Sequence, residues 1–310
     1  MDIQRIIGSY SCDIEGPLLF VTAGIHGNEP SGVIALQHIF SELHKSLPPI
    51  QGTFVGVSGN QQGLSKGIRF IDQDLNRTWT KTNLLSKSNT PHELTEMRAI
   101  LEVLKSYMEE GPKKRYFLDC HTTSSPSSPY ISVQDVNDNC SWAKHFPTSV
   151  VIGFSDIITG DIDHYLSSIG LTGFVFEAGQ HTSKDAVVNQ QGMIWLALKE
   201  SCGLNFDDLS EYPDSVTALK EQHQSTQKSF KILYRHELKE NDTFQMEPGF
   251  ENFSKIEKGQ LLAIENGKEI RSTWDAYIFM PLYQSLGDDG FFIIDTVDTS
   301  SRANYQSSMN

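Results

Sequence analysis

The sequence predicts an α/β fold, with a mostly parallel sheet flanked by helices and a smaller C-terminal β-domain. Up to about residue 205, apolar runs of strand length alternate with helical patterns, which is typical of parallel α/β sheets. Polar residues then dominate positions 207–229, and further short strand-like runs follow. We therefore divide the chain into a first domain at 1–206, a linker or exposed helix at 207–224 and a mainly β domain at 225–310.

The strands of the first domain are predicted by apolar runs at 18–24, 53–57, 116–118, 149–154 and 174–176. A helix should follow the first run, because Pro30 suits a first helical turn and apolar residues recur behind it at helical spacing. Another helix should begin at Thr90, which fits an N-cap, with Pro91 in the first turn and Glu93 as the capping-box partner.

The C-terminal region carries shorter strand-like runs at 232–234, 261–264, 277–280 and 291–294. Asn266-Gly267 lies between two segments of strand character and predicts a tight hairpin, because these residues tolerate positive φ angles. The last residues, 300–310, are polar and are expected to fray.

Charge and cysteine usage exclude several classes of protein. With 25 basic against 39 acidic residues, the net charge of −14 disfavours nucleic acid or an anionic membrane as a partner. No apolar run approaches the roughly 20 residues of a membrane span, and none forms a signal peptide. The cysteines form no C-x-x-C pair, which is typical of reduced thiols in the cytoplasm. Homo-oligomerisation is left open.

Residues able to bind a metal follow the predicted strands. The carboxyl ends of strands in an open α/β sheet meet at one edge, so His26, His121 and Glu177 can converge there. His26 and Glu29 with the distant His121 supply two imidazoles and one carboxylate, a set typical of catalytic zinc with a fourth position for water. We therefore predict one zinc ion per chain.

Other polar residues suit the remaining steps of a hydrolysis. Glu177 is a candidate to accept a proton from water and pass it to a leaving nitrogen. Arg69, Asn76 and Arg77 are candidates for substrate binding, because arginine binds a carboxylate through two parallel bonds and can also stabilise an oxyanion. Asp119 is a candidate to orient a metal ligand, although strand alternation leaves its direction open.

Motifs around these residues form an ordered set: Gly24-Ile-His26-Gly-Asn-Glu29, Asp74-Leu-Asn76-Arg77, Asp119-Cys-His121 and Phe176-Glu177-Ala-Gly179. Together they resemble the aspartoacylase/succinylglutamate desuccinylase family, a branch of the zinc-carboxypeptidase-like fold. The resemblance extends over most of the chain in the family's order and includes the C-terminal β-domain.

The resemblance implies hydrolysis of a small, anionic N-acyl amino acid to a carboxylic acid and a free amino acid. It implies zinc ligands at His26, Glu29 and His121, and a catalytic carboxylate at Glu177. The first domain would then be the catalytic domain.

The resemblance also implies residues that hold the substrate. Arg69 would polarise the scissile carbonyl group, and Asn76 and Arg77 would bind the substrate carboxylate. Tyr283 would match a C-terminal tyrosine that contacts substrate.

The chain departs from the family between His121 and Glu177. The aspartoacylase branch has an arginine there that binds the aspartate side chain, whereas residues 122–176 contain no arginine. Lys144, His145 and His164 are the only residues of this segment that can carry positive charge. N-acetylaspartate is therefore disfavoured, and an acyl amino acid with a neutral side chain is at least as consistent with the sequence.

Two alternatives to a small-molecule deacylase remain open, a zinc carboxypeptidase acting on short peptides and a non-catalytic metabolite-binding protein. His92-Glu93 does not open a second zinc motif, because the following residues lack the second histidine of H-E-x-x-H. The ligand set does not distinguish zinc from other first-row ions. A second metal is left open, because Asp72, Asp74 and Asp119 lie near the predicted site in the sequence, although they form no clear second ligand set.

Overall fold

The computed structural model describes residues 3–88, 90–112, 114–154, 157–222, 227–283 and 289–297. The tail predicted at 300–310 lies outside these residues. Within the described ranges the strands are β1 (Ile6–Ser11), β2 (Leu18–Ala23), β3 (Thr53–Ser58), β4 (Arg115–Thr123), β5 (Tyr130–Val133), β6 (Ser149–Ile152), β7 (Thr172–Gln180), β8 (Ser229–Glu237), β9 (Phe244–Met246), β10 (Ser254–Ile256), β11 (Leu261–Glu265), β12 (Lys268–Arg271), β13 (Ala276–Phe279) and β14 (Asp289–Thr296). The α-helices are α1 (Ser31–Ser46), α2 (Gln61–Lys66), α3 (Lys81–Leu85), α4 (Glu93–Glu109), α5 (Asn139–Ala143), α6 (Ile162–Ser168), α7 (Asp185–Cys202) and α8 (Asp214–Gln222).

Most of these strands form one continuous sheet, in the order β1-β3-β2-β4-β7-β5-β6-β8-β14-β13-β10. The strands β3, β2, β4 and β7 pair in parallel, and β1 adds an antiparallel edge. On the other side of β7, β5 pairs with it antiparallel, β6 pairs with β5 in parallel, and β8 pairs with β6 in parallel. The last four strands of the sheet order, β8, β14, β13 and β10, pair antiparallel with one another.

The C-terminal strands divide between two sheets. The pairing of β6 with β8 carries the large sheet into the C-terminal region, whereas β12, β11 and β9 form a separate small antiparallel sheet. The predicted hairpin joins β11 to β12, with φ angles of 51° at Asn266 and 74° at Gly267. A mixed α/β fold with helices around a large sheet is therefore confirmed, and the division at 206 and 225 stays a prediction.

Alternating residues of β2 pack against two helical layers. Leu19 and Val21 face a core that includes α1 and α7, whereas Leu18 and Phe20 face a second core that includes α4. Each such fully buried side chain contributes roughly 1.5–3 kcal/mol of hydrophobic stabilisation. Helices thus cover both faces of the sheet, as a parallel sheet requires. This packing holds the carboxyl ends of the strands in a fixed position. Among the described helices, none has the length and apolar character that crossing a membrane requires.

The predicted capping box at Glu93 is wrong. The α4 helix begins at Glu93 without a side-chain cap, and Thr90 instead contacts Ser88. The buried carboxylate of Glu93 accepts hydrogen bonds from Asn60 Nδ2 at 3.0 Å and from the backbone N–H groups of 71–73 at 2.7–3.2 Å. A buried carboxylate needs several donors, which this loop supplies. Glu93 therefore anchors the loop that leads to Asn76 and Arg77.

Candidate active site

The three predicted ligands form one buried cluster at the carboxyl ends of β2 and β4. One potential ligand atom from each of His26, Glu29 and His121 lies within 4.8 Å of the others. His26 Nδ1 is 2.8 Å from Glu29 Oε1, and His121 Nδ1 is 3.3 Å from Glu29 Oε2. Two imidazole nitrogens and a carboxylate therefore converge on one point, which suits a divalent cation of the zinc type.

Glycines let the chain turn sharply from β2 into this cluster. Gly24 has a φ of +70°, a conformation that favours glycine. A Cβ at Gly27 would lie 2.0 Å from the backbone carbonyl carbon of Gly63, so a larger residue would push the loop away. The backbone at 24–27 thus brings His26 over the end of the sheet.

The far nitrogen of each histidine contacts an aspartate. His26 Nε2 lies 3.0 Å from Asp74 Oδ1, and His121 Nε2 lies 2.8 Å from Asp119 Oδ2. Thr22 Oγ1 donates a hydrogen bond of 2.6 Å to the other oxygen of Asp119. These carboxylates fix both rings with Nδ1 toward the cluster, an arrangement common around protein-bound metals. The orienting role predicted for Asp119 agrees with this geometry, whereas the role of Asp74 was missed.

The charges of the cluster favour a bound cation. Burial opposes ionisation of Glu29, but His26 and His121 outweigh it and hold the pKa of this carboxyl well below its usual range. Burial likewise opposes protonation of His121, but Asp119 and Glu29 raise its pKa well above the usual value. Because the surrounding carboxylates stabilise positive charge at this point, a metal ion would take the place of protons.

Glu177 lies beside the cluster on the neighbouring strand. It pairs in register with His121 across β4 and β7, and its side chain is only 8% exposed. Its buried Oε2 has no hydrogen-bond partner among the described residues. Burial raises the pKa of Glu177 to about 8, against the opposing influence of His121. A bound cation would favour the ionised form, which can accept a proton.

The predicted arginines border the cluster from the loop at 69–77. Arg69 Nη2 is 2.8 Å from Asp74 Oδ2, and Arg69 Nη1 is 3.8 Å from Glu29 Oε1. The Oδ1 atom of Asn76 accepts a bond from the N–H of Ile162, so Asn76 also fixes the start of α6. Arg77 donates to the backbone oxygen of Asn76 and remains about one-third exposed.

A cleft of about 490 Å³ opens above these residues. Arg69, Arg77 and Glu177 line it together with the ligand cluster, and one wall comes from the C-terminal residues Met280, Leu282, Asp289 and Phe292. The C-terminal strands therefore narrow the cleft.

Tyr283 is not brought into the cleft. Its side chain is 41% exposed, and its hydroxyl group donates to the backbone oxygen of Glu247 and accepts from the N–H of Phe250. It does not contribute to the cleft lining. The substrate contact implied by the resemblance thus has no support in this geometry, because both hydrogen bonds hold the hydroxyl against the loop between β9 and β10.

Sequence reasoning missed His181, which also lines the cleft. His181 Nδ1 is 2.8 Å from Thr122 Oγ1, while its buried Nε2 has no partner among the described residues. Only its position four residues after Glu177 could have indicated a place near the site.

Comparisons with known proteins agree with this geometry. A family model described as the succinylglutamate desuccinylase/aspartoacylase catalytic domain matches residues 15–193, more than half of the chain. The chain is 27% identical over 242 residues to an N-acyl-aromatic-L-amino acid amidohydrolase (carboxylate-forming) of Xenopus tropicalis, covering 73% of this chain and 72% of the relative. It is 35% identical over 176 residues to the Homo sapiens protein of the same name, covering 51% and 52%, so it spans about half of that relative.

A solved structure shares the fold. Murine aminoacylase 3 superimposes with a TM-score of 0.61 at 17% identity, covering 92% of this chain and 97% of the murine chain. The ordered motifs, the buried cluster at the strand ends and the family match over residues 15–193 agree, and the chain belongs to the succinylglutamate desuccinylase/aspartoacylase family.

Proposed function

We propose that the protein hydrolyses the amide bond of a small N-acyl amino acid, with zinc held by His26, Glu29 and His121. The observation that carries this proposal is the buried His–Glu–His cluster beside the unpartnered carboxylate oxygen of Glu177. The names of the amidohydrolase relatives support the reaction class. The products would be a carboxylic acid and a free amino acid.

Each residue beside the cluster has a defined task in this reaction. Zinc bound at the cluster would supply Lewis acidity and lower the pKa of a water molecule. Glu177 takes one proton from water as the water oxygen bonds to the acyl carbon. It then returns that proton to the amide nitrogen as the carbon–nitrogen bond breaks. Burial keeps competing water away from this carboxylate.

The arginines and Asn76 would bind the charged parts of the substrate. Arg69, close to both Glu29 and Asp74, is placed to donate to the acyl oxygen as negative charge develops there. Arg77 is only partly exposed and lines the cleft, so its guanidinium group can bind the substrate carboxylate through two bonds. Asn76 would position Arg77 through its backbone and add an amide donor.

The narrowed cleft favours small substrates. Met280, which follows β13, and Phe292 of β14 border the same cavity as the cluster, which disfavours long peptides that must extend past the metal. We further expect the enzyme to work in the cytoplasm, because none of the four described cysteines forms a disulfide bond.

The test uses tag-free protein loaded with zinc and a panel of N-acetyl amino acids and dipeptides. We expect hydrolysis of acetyl amino acids, and a loss of about 10²–10⁴-fold in kcat for Glu177→Gln with zinc still bound. Glu102→Gln, on the exposed face of α4, is the matched control and should keep full activity. Turnover of dipeptides alone would favour the carboxypeptidase alternative. Tight ligand binding without any turnover would favour a binding protein.

A further inference from the structure

A smaller chamber of about 100 Å³ adjoins the metal cluster. We call it the inner chamber, and its lining shares His26, His121, Glu177, Arg69 and Arg77 with the main cleft. Met280 lines both spaces, and the remaining walls come from Tyr130, Ser132, Phe154, Ile158, Val175, Asn76 and an acidic pair at the start of α6. The chamber is thus a side space that a substrate on the cluster can reach.

The acidic pair consists of Asp161 and Asp163, whose side chains are only 5% and 4% exposed. Asp161 accepts a bond from the N–H of His164 at 2.9 Å, and Asp163 accepts one from Gln134 Nε2 at 2.9 Å. Each carboxyl group also influences the pKa of the other, so the two act as a pair. Among the described residues neither aspartate has an ion pair within 4.0 Å, although the charge of Arg77 acts on Asp161 from the chamber wall. The acidic pair is therefore without a described cation in direct contact, and it holds a proton, because burial and Asp163 raise the pKa of Asp161 to about 9.

A second polar group in the chamber also lacks a partner. The hydroxyl of Tyr130 is fully buried and makes no hydrogen bond to any described residue. Burial, with the charges of Glu177 and Glu29, raises the pKa of this hydroxyl, and Tyr130 lies opposite Glu177 in the pairing of β5 with β7. Ser132 lies two residues along β5, on the same face, and lines the chamber too. Buried polar groups without partners are rare in native proteins and point to a polar ligand.

The orientation of the substrate follows from the proposed function. If the acyl carbonyl lies at the cluster and Arg77 binds the α-carboxylate, the side chain of the amino acid enters the inner chamber, since Arg77 and Asn76 border it. A volume of about 100 Å³ is below the roughly 150 Å³ of cavities that accept benzene. The chamber therefore suits a short, unbranched side chain better than an aromatic ring.

We propose that the inner chamber selects N-acyl amino acids with a short side chain ending in an amino group, through Asp161, Asp163 and Tyr130. This inference rests on the proposed function. An ammonium group has three donors, enough to bond both carboxylates and the tyrosine oxygen. An ammonium group would replace the proton that the acidic pair holds, whereas a neutral side chain would bring the pair no cation and an acidic side chain would add like charge beside it. The missing arginine of residues 122–176 fits the same preference.

The test compares two substrates whose side chains have the same number of heavy atoms. Nα-acetyl-L-ornithine ends in an ammonium group, and Nα-acetyl-L-norleucine ends in a methyl group. For the zinc-loaded wild type, we expect kcat/KM to be roughly 10–100-fold higher for the ornithine compound, the value of a charge-assisted hydrogen bond. Asp161→Asn and Asp163→Asn should each move this ratio toward one. Asp138→Asn, an exposed aspartate outside the chamber, should keep the wild-type ratio.

Contrary results can be told apart. Faster hydrolysis of acetyl-norleucine, acetyl-phenylalanine or acetyl-aspartate would overturn this inference and leave the proposed function intact. If no acyl amino acid is hydrolysed, the proposed function fails. In that case the inference is tested by measuring the affinity of the same protein for the two acetyl compounds by calorimetry. Tighter binding of the ornithine compound would support the acidic chamber, and equal or weaker binding would reject it. Because the wild-type ratio decides the matter, the test does not depend on the variants folding.

Discussion

Nε2 of His121 lies 2.8 Å from Oδ2 of Asp119, two residues earlier on the same strand. Residues two apart on a strand share a face, so the aspartate sits behind the histidine and leaves Nδ1 directed toward the cluster. Asp74 contacts His26 in the same way at 3.0 Å. Both candidate ligands are thus oriented by carboxylates outside the ligand set.

Asp119→Asn should weaken zinc binding. The amide cannot stabilise positive charge on His121 as the carboxylate does, so we expect an affinity loss of roughly 10–100-fold with the fold retained. Competition with a chromophoric chelator measures the affinity, and circular dichroism checks the fold. Asp207→Asn, which is exposed, serves as the control. An unchanged affinity would mean that Asp119 does not orient the ligand.

Glu93→Gln should destabilise the protein and impair substrate binding. The glutamine would direct an amide N–H₂ group at the backbone donors of 71–73, leaving buried groups unsatisfied at a cost of about 1–3 kcal/mol. Because that loop leads to Asn76 and Arg77, KM should rise more than kcat falls. Urea unfolding and steady-state kinetics measure the two effects, with Glu102→Gln on the same helix as control. A destabilised variant with a normal KM would show that the contact of Glu93 with the loop does not affect substrate binding.

Tyr283→Phe should affect stability and not catalysis. The hydroxyl is occupied by Glu247 and Phe250, and the ring lies outside the cleft lining. We therefore expect kcat/KM to change by less than roughly threefold, while the melting temperature falls slightly because both hydrogen bonds of the hydroxyl group are lost. A large fall in kcat/KM at unchanged stability would instead support the substrate contact that the family resemblance implies for Tyr283.

The stability of the metal-free protein should fall as the pH rises. Burial and the neighbouring Asp163 raise the pKa of Asp161 from 3.8 to about 9. The folded protein therefore holds a proton that the unfolded chain releases. This stabilisation is complete below the unfolded pKa and is lost as the pH rises through about 9.

Asp161→Asn isolates this contribution, since asparagine can still cap α6. Between about pH 5 and about pH 9, the melting temperature of the wild type should fall by more than that of the variant. Glu177, whose pKa is raised to about 8, acts in the same direction in both proteins. Parallel pH profiles for wild type and variant would show that Asp161 does not hold the proton.

The ligand set and its neighbours could be predicted from the sequence because their chemistry is local. His26 and Glu29 lie in one turn after a buried strand, and His121 and Glu177 end apolar runs, so strand pattern alone placed them at one edge. The Asn266-Gly267 hairpin was equally predictable, since two residues fix its backbone angles.

Tertiary structure decided what depends on distant contacts. Glu93 looked like a capping residue, but three loop N–H groups brought against it by folding compete successfully for its carboxylate. Asp161 and Asp163 carried no signal in the sequence, because a carboxylate at the start of a short helix is ordinarily solvated. Only the packing of α6 against the loop at 74–77 buries them beside the cluster. The sequence thus determined which reactive groups meet, while long-range packing determined which charges are left without partners, because desolvation depends on everything folded around a residue.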